Sequence, residues 1–257
     1  MEITLKGRTA LVTGGSLGIG RAIARQFAQA GADVAILARR QGPLDEAAAA
    51  IGSRPGQVLP VACDVRRADD IAAGFARVAQ AFGRIDILVN NAGTSNANPF
   101  LTVTDAQWQE DIDLKLFAAI RLIRLVWPHM KERQWGRVIN VLNIGAKAPR
   151  PASAPTSVTR AAGMALTKVL AGEGAPHGIL VNALLVGFIE SDQWVQRAAK
   201  LGVPLADFLA KMGKEIPMGR VGTAQEFANA ACFLASDAAS YITGTAINVD
   251  GNRSPVV

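Results

Sequence analysis

The octet Thr13-Gly14-Gly15-Ser16-Leu17-Gly18-Ile19-Gly20 lies between an apolar run, Thr9 to Val12, and an amphipathic one, Arg21 to Ala30. Glycines at 14, 18 and 20 allow a tight turn, a close approach of backbone to a pyrophosphate and close packing of helix on strand. The N-terminus of the helix that follows offers unpaired N–H groups to an anion. The stretch therefore predicts a strand, a turn and a helix that together cradle a dinucleotide. Ile19, Ala22, Ile23, Phe27 and Ala30 share one face of that helix, and Gly31 ends it. A second strand follows from Asp33 to Ala38. An acidic residue at its end would bind the ribose 2′-hydroxyl of NAD, but the chain continues with Arg39 and Arg40, which favours the 2′-phosphate of NADP.

Beyond this unit the alternation continues. Leu44 to Ile51 predicts a helix, Gln57 to Ala62 a strand, Asp69 to Phe82 a helix and Ile85 to Asn90 a fourth strand. Thr104 with Gln107 forms a capping box that opens a long helical stretch reaching about Arg133, and Thr223 with Glu226 forms another. Gly136 to Leu142, Leu180 to Leu184 and Ala246 to Val249 complete seven strands. The rhythm predicts an α/β protein, a doubly wound Rossmann-type parallel sheet with helices on both faces and ligands at the carboxyl ends of its strands. At 257 residues the chain is expected to form a single domain over 1–257.

Composition narrows the function. The net charge of +6 is dispersed in ones and twos with few aromatics between, which points to a solvated surface and away from nucleic acid. No apolar run approaches the ~20 residues of a membrane span. Met1-Glu2-Ile3-Thr4 lacks the basic-then-apolar layout of a signal peptide, so a soluble, cytoplasmic protein is expected. Cys63 and Cys232 stand far apart without metal-binding spacing, and neither a disulfide nor a metal site is expected.

Four spaced motifs carry a resemblance that spans nearly the whole chain: Thr13 to Gly20, Cys63-Asp64-Val65, Asn90 to Gly93, and Tyr241-Ile242-Thr243-Gly244 with Val249-Asp250-Gly251. They resemble the short-chain dehydrogenase/reductase family. The resemblance implies a cofactor set of Thr13, Gly14, Ser16, Gly18, Ile19, Gly20, Arg39, Arg40, Asp64, Val65, Asn90, Ala92, Gly93, Arg160, Gly187, Ile189 and Ser191. In it Asp64 would hold the adenine amino group, the backbone at Asn90, Ala92 and Gly93 would line the cofactor, and Arg39 would meet the 2′-phosphate. It also implies a mobile substrate lid at about 190–214, with Trp194, Leu201, Leu205, Phe208 and Met212 suggesting an apolar substrate. The stripe Trp108, Ile112, Leu116, Ala119, Ile120, Ile123 and Trp127 would serve a homo-oligomer, a dimer or tetramer.

The family's chemistry uses an asparagine, a serine, a tyrosine and a lysine. Matching the motifs puts Asp113 at the asparagine, Asn143 at the serine, Thr156 at the tyrosine and Arg160 at the lysine. A phenol with a pKa near 10 can be tuned into a general acid, but an aliphatic alcohol starts far higher, and arginine, at about 12.5 or above, stays protonated. Thr156 and Arg160, four apart, share a helical face with Gly163 and Thr167. Tyr241, His129 and His177 fall outside the expected site, which leaves Asp113 as the remaining titratable candidate, either raised by burial into an acid or fixed in an ion pair with Arg160 or Lys115. Two main readings stand open: an atypical NADP(H)-dependent oxidoreductase on a small carbonyl or alcohol, with Asp113 or bound water as proton source, and a catalytically silent nucleotide-binding sensor or partner subunit. Non-redox acid/base or lyase chemistry in the same pocket is a third.

Overall fold

The computed structural model describes residues 3–52 and 56–257. Met1 and Glu2, half of the N-terminal tetrapeptide read above, lie outside the described residues. In chain order the strands are β1 (Thr9–Thr13), β2 (Asp33–Ala38), β3 (Val58–Ala62), β4 (Ile87–Asn90), β5 (Ala97–Asn98), β6 (Gly136–Asn143), β7 (Ala154–Pro155), β8 (Ile179–Val186) and β9 (Ala246–Val249). The α-helices are α1 (Gly18–Gln29), α2 (Gln41–Ile51), α3 (Ala68–Phe82), α4 (Asp105–Ile112), α5 (Ala118–Glu132), α6 (Thr156–Gly174), α7 (Asp192–Leu201), α8 (Leu205–Gly213) and α9 (Ala224–Ala235).

Seven strands form one sheet in the order β3-β2-β1-β4-β6-β8-β9. Every pairing in it is parallel. All of β1 and nearly all of β6 and β8 are buried, because strands covered on both faces carry continuous apolar runs instead of an alternating pattern. One face packs on α1, α2 and α9 through Ile23, Phe27, Leu44 and Phe227. The other packs on α3, α5 and α6 through Ile71, Val78, Leu122, Val126 and Ala171. The chain leaves β1 toward β2 and β3, then returns to β4 on the opposite side of β1. That reversal opens a crevice above the carboxyl ends of β1 and β4, where such sheets bind ligands.

Both expected capping boxes form, Thr104 with Gln107 and Thr223 with Glu226. The long helix expected from Thr104 to Arg133 is not one regular helix. A five-residue π-helical turn, Asp113–Phe117, separates α4 from α5. A π turn widens the backbone and changes the angle at which side chains leave it. Unforeseen in the sequence, too, is the two-stranded antiparallel ribbon of β5 and β7, whose two-residue strands carry no periodic signal. It ties the loop after β4 to the start of α6. Among the described residues no helix is long and apolar enough to cross a membrane.

Candidate active site

The cleft above the switch point has a volume of about 690 Å³ and runs from Arg39 to the C-terminal tail. At one end Gly14, Leu17, Gly18, Ile19 and Gly20 form its floor. Gly14 and Gly18 have φ of +64° and +51°, values that disfavour side chains, and a Cβ on Gly20 would overlap the Gly14 carbonyl. No side chain caps the N-terminus of α1, so its first N–H groups remain free to meet an anion. Arg39 stands exposed at the rim. Gly187, Ile189 and Ser191 line the opposite wall, where a Cβ on Gly187 would overlap Asp250.

At the other end Asn143, Thr156 and Arg160 line the same cleft. Asn143 ends β6, and its buried Oδ1 has no hydrogen-bond partner among the described residues. Arg160 donates from Nη1 to the Val141 carbonyl at 2.8 Å, and burial pulls its guanidinium below the ordinary arginine value. Gly93 makes room for it, since a Cβ there would stand 2.5 Å from Nη2. Thr156, the first residue of α6, is 5% exposed and accepts hydrogen bonds from the Asn96 N–H at 2.9 Å and from Lys115 Nζ at 3.0 Å. Lys115 is itself ion-paired to Asp111, whose other oxygen accepts from the Thr159 hydroxyl at 2.7 Å.

The family model described as enoyl-(acyl carrier protein) reductase matches residues 14–251. The short-chain reductase protein NovJ of Streptomyces niveus is 33% identical over 244 residues, 95% of this chain and 93% of its own length. The chain belongs to the short-chain dehydrogenase/reductase family. The L-sorbose reductase of Gluconobacter frateurii, solved with NADPH and L-sorbose, superposes with a TM-score of 0.95 at 35% identity, each chain covered in full. The 3-ketoacyl-(acyl-carrier-protein) reductase of Brucella melitensis, solved with NADH, superposes at 0.86 with 34% identity, covering 98% of this chain and 100% of the other.

Several residues expected at the site of this short-chain dehydrogenase/reductase do not line this cleft. Asp113 faces away from the cleft, accepting from Gln109 at 3.0 Å and pairing with Arg121 at 3.6 Å; its ion-pair partner is neither Arg160 nor Lys115. The reason is angular. Asp111 and Lys115, four apart, turn inward together, and a residue midway between them points to the far side of the helix. Thr13 is not a lining residue: its hydroxyl accepts from the Asn91 and Ala92 N–H groups at 2.9 Å each and donates to the Val89 carbonyl, tying β1 to β4. Asp64 sits beyond the lining, clasped by Arg66, whose hydrogen bonds hold its carboxyl below the usual carboxylate range. Val65 is buried in the core, and Arg40, Ser16 and Asn90 do not line the cleft either. Asn90 instead donates to Asn140 at 2.9 Å.

Other groups at the site escaped the sequence reading. Asp111 did so, and Lys115 was named only as an ion-pair partner for Asp113, because a charged pair at helical spacing normally marks a solvated face. Arg253 did so because the tail from Asn252 carries no motif. Its side chain lines the cleft, stacks 3.6 Å over Phe188 and pairs with Glu215 at 3.0 Å. Trp194 closes this end, edge-on to Phe188 at 5.6 Å and against Phe208 at 6.2 Å. Tyr241 is fully exposed, and neither histidine borders the cleft.

Proposed function

We propose that the protein is an NADP(H)-dependent oxidoreductase that interconverts a small carbonyl compound and its alcohol, with Asn143, Thr156 and Arg160 in place of the serine, tyrosine and lysine used elsewhere in its family. One observation carries the reading. A glycine cradle with an uncapped helix N-terminus and a rim arginine shares a single cleft with a cluster of polar groups that includes an unpartnered amide oxygen. The cradle fits a dinucleotide because its glycines leave backbone where a side chain would obstruct a pyrophosphate, and Arg39 supplies a fork suited to a 2′-phosphate. NADPH in the L-sorbose reductase supports the phosphorylated form. When bound, the nicotinamide gives or takes a hydride.

The remaining work falls to this chain. Arg160 holds a permanent positive charge beside the substrate oxygen and stabilises negative charge that develops there. Asn143 offers an amide that both donates and accepts, and Thr156 offers a hydroxyl. Trp194 and Phe188 give the substrate an apolar wall and exclude water, with α7 and α8 acting as the lid. Exposed Phe117, Val158 and Val169 on and beside α5 and α6 supply apolar surface for a homo-oligomer.

Calorimetric titration with NADPH, NADP, NADH and NAD, alongside Arg39→Ala, tests the cofactor half. Tighter binding of the phosphorylated forms, lost in the variant, is expected. A panel of small ketones and aldehydes followed by loss of nicotinamide absorbance tests the chemistry. Cofactor binding without turnover of any carbonyl would point instead to the silent nucleotide-binding reading.

A further inference from the structure

The family's proton donor requires a tyrosine, and the cleft contains none, yet Thr156 is not an ordinary hydroxyl. A hydroxyl has one proton to give and two lone pairs to receive. Both lone pairs of the Thr156 Oγ1 are engaged, one by the Asn96 N–H at 2.9 Å and the other by Lys115 Nζ at 3.0 Å. Neither donor can reverse its role, because a backbone N–H and an ammonium have no acceptor to offer. The Thr156 proton finds no acceptor among the described residues, and Thr156 lines the cleft. Its hydroxyl is thereby left to donate into the space where a substrate oxygen would lie.

Behind it, Lys115 is completely buried. The charged groups that face it are Asp111 from α4 and Arg160 from α6, while β4 and β6 present only the neutral Asn90 and Asn140. Two cations thus share one carboxylate, and the Lys115 and Asp111 side chains are shut off from solvent. Asp111 is fully committed, to Lys115 through one oxygen and to the Thr159 hydroxyl through the other. The ammonium is therefore held in place but not fully neutralised. Burial first, and the charge of Arg160 second, pull Lys115 down to about 8 against the opposing pull of Asp111. A lysine in that range can release a proton near neutral pH, which arginine cannot.

Resting on the oxidoreductase reading, we propose that Lys115 is the proton-supplying positioning residue of this enzyme, acting through the Thr156 hydroxyl. In carbonyl reduction the substrate carbon receives a hydride from the reduced nicotinamide dinucleotide. The substrate oxygen takes the Thr156 proton as the O–H bond of Thr156 breaks, and Thr156 takes one from the Lys115 ammonium, which is left as a neutral amine. Once the alcohol leaves, water in the cleft returns a proton along the same hydroxyl to Lys115. Alcohol oxidation runs the sequence backward from the neutral amine. Reduction therefore falls as pH rises through about 8, and oxidation rises over the same interval.

The test pairs a spectroscopic readout with kinetics. Nitrogen NMR of the lysine side chains, on the protein without substrate, is expected to show the Lys115 amine titrating near pH 8. Thr156→Val should move that titration lower, because the ammonium loses an acceptor. Titration at the ordinary lysine value, or no response to the Thr156 substitution, overturns the proposal. Lys115→Arg keeps the charge and its pairing with Asp111 but cannot release a proton, and should lower the reduction rate on the order of 10²-fold at unchanged NADPH affinity. Thr156→Ser should retain the rate and the pH profile where Thr156→Val loses them. The Asp111→Asn, Lys115→Met double variant removes the buried pair together and leaves Arg160, held by the Val141 carbonyl, as the one charge of the cluster; it is expected to fold and bind NADPH while losing the inflection near pH 8. Full activity in Lys115→Arg or in the double variant overturns the proposal. A parent that binds NADPH but reduces no carbonyl overturns the oxidoreductase reading alone, and the nitrogen titration still decides whether Lys115 and Thr156 are coupled.

Discussion

At the cradle end of the cleft the ligand-facing groups are backbone, presented within one continuous stretch from Gly14 to Gly20, whereas at the opposite end Lys115 and Thr156 meet across 41 positions of sequence through a side-chain contact. The cradle works by what is missing. Each glycine leaves out a Cβ that would obstruct the turn, the helix packing or the neighbouring loop. The other end works by what is brought in, a carboxylate, two cations and three hydroxyl or amide groups, with Lys115 and Asp111 buried behind the cleft wall that Thr156, Arg160 and Asn143 form. The contrast separates two ways of making a site: a local one fixed by backbone geometry, and a distant one fixed by the mutual satisfaction of buried polar groups.

The contrast can be broken from the charged end first. Asp111→Ala removes the anion that holds Lys115. At pH 7 the fold then strips a proton from a lysine that otherwise keeps it to about pH 8, at about 1.4 kcal/mol, and the Thr159 hydroxyl exchanges its carboxylate acceptor for the Thr156 carbonyl at 3.0 Å, losing a hydrogen bond to a charged group worth about 1.5 to 3 kcal/mol. Denaturant unfolding should register a loss of about 3 kcal/mol. The loss should shrink above pH 8, where the folded-state lysine is already neutral.

At the cradle, Gly20→Ala places a methyl group against the Gly14 carbonyl, with an expected cost of about 1 to 3 kcal/mol in stability and weaker dinucleotide binding by calorimetry. Arg39→Ala should weaken NADPH by about 1.5 to 3 kcal/mol, the worth of a hydrogen bond to a charged group, and leave NADH unchanged. Equal loss for both nucleotides would place the 2′-phosphate elsewhere. The smallest effect is expected at Asp113→Asn. Its partner Arg121 is partly exposed, so stability should change by no more than about 0.5 kcal/mol, and the reduction rate should hold. A large loss of rate would return Asp113 to the site.

Particular residues explain why one end was legible in the sequence and the other was not. The Gly-rich octet could be read directly, because a tight turn followed by a helix N-terminus needs glycine at fixed offsets and its neighbours supply the context. Thr156 and Arg160 were readable as a pair, because four residues on one helix share a face. Lys115 was hidden by its own chemistry. An Asp and a Lys four apart on an amphipathic helix ordinarily mark the solvated side, and the half-turn that separates Asp113 from them is invisible until it is known which side is covered. Arg253 was hidden by distance, since only the packing of the tail against Phe188 and Glu215 brings it to the cleft.

The sequence by itself determined the parallel sheet, the two helical layers and the cradle, because apolar periodicity and glycine placement act over a few residues and leave the backbone little choice. The tertiary structure alone decided which charges were buried. The π-helical turn and the β5–β7 ribbon bring α4, the loop after β4 and the start of α6 together, and Lys115, Asp111 and Thr156 meet there. The physical reason is that burial changes the cost of a charge more than any local signal does. The same lysine is a solvated ornament on an isolated helix and a group near its titration point inside this fold.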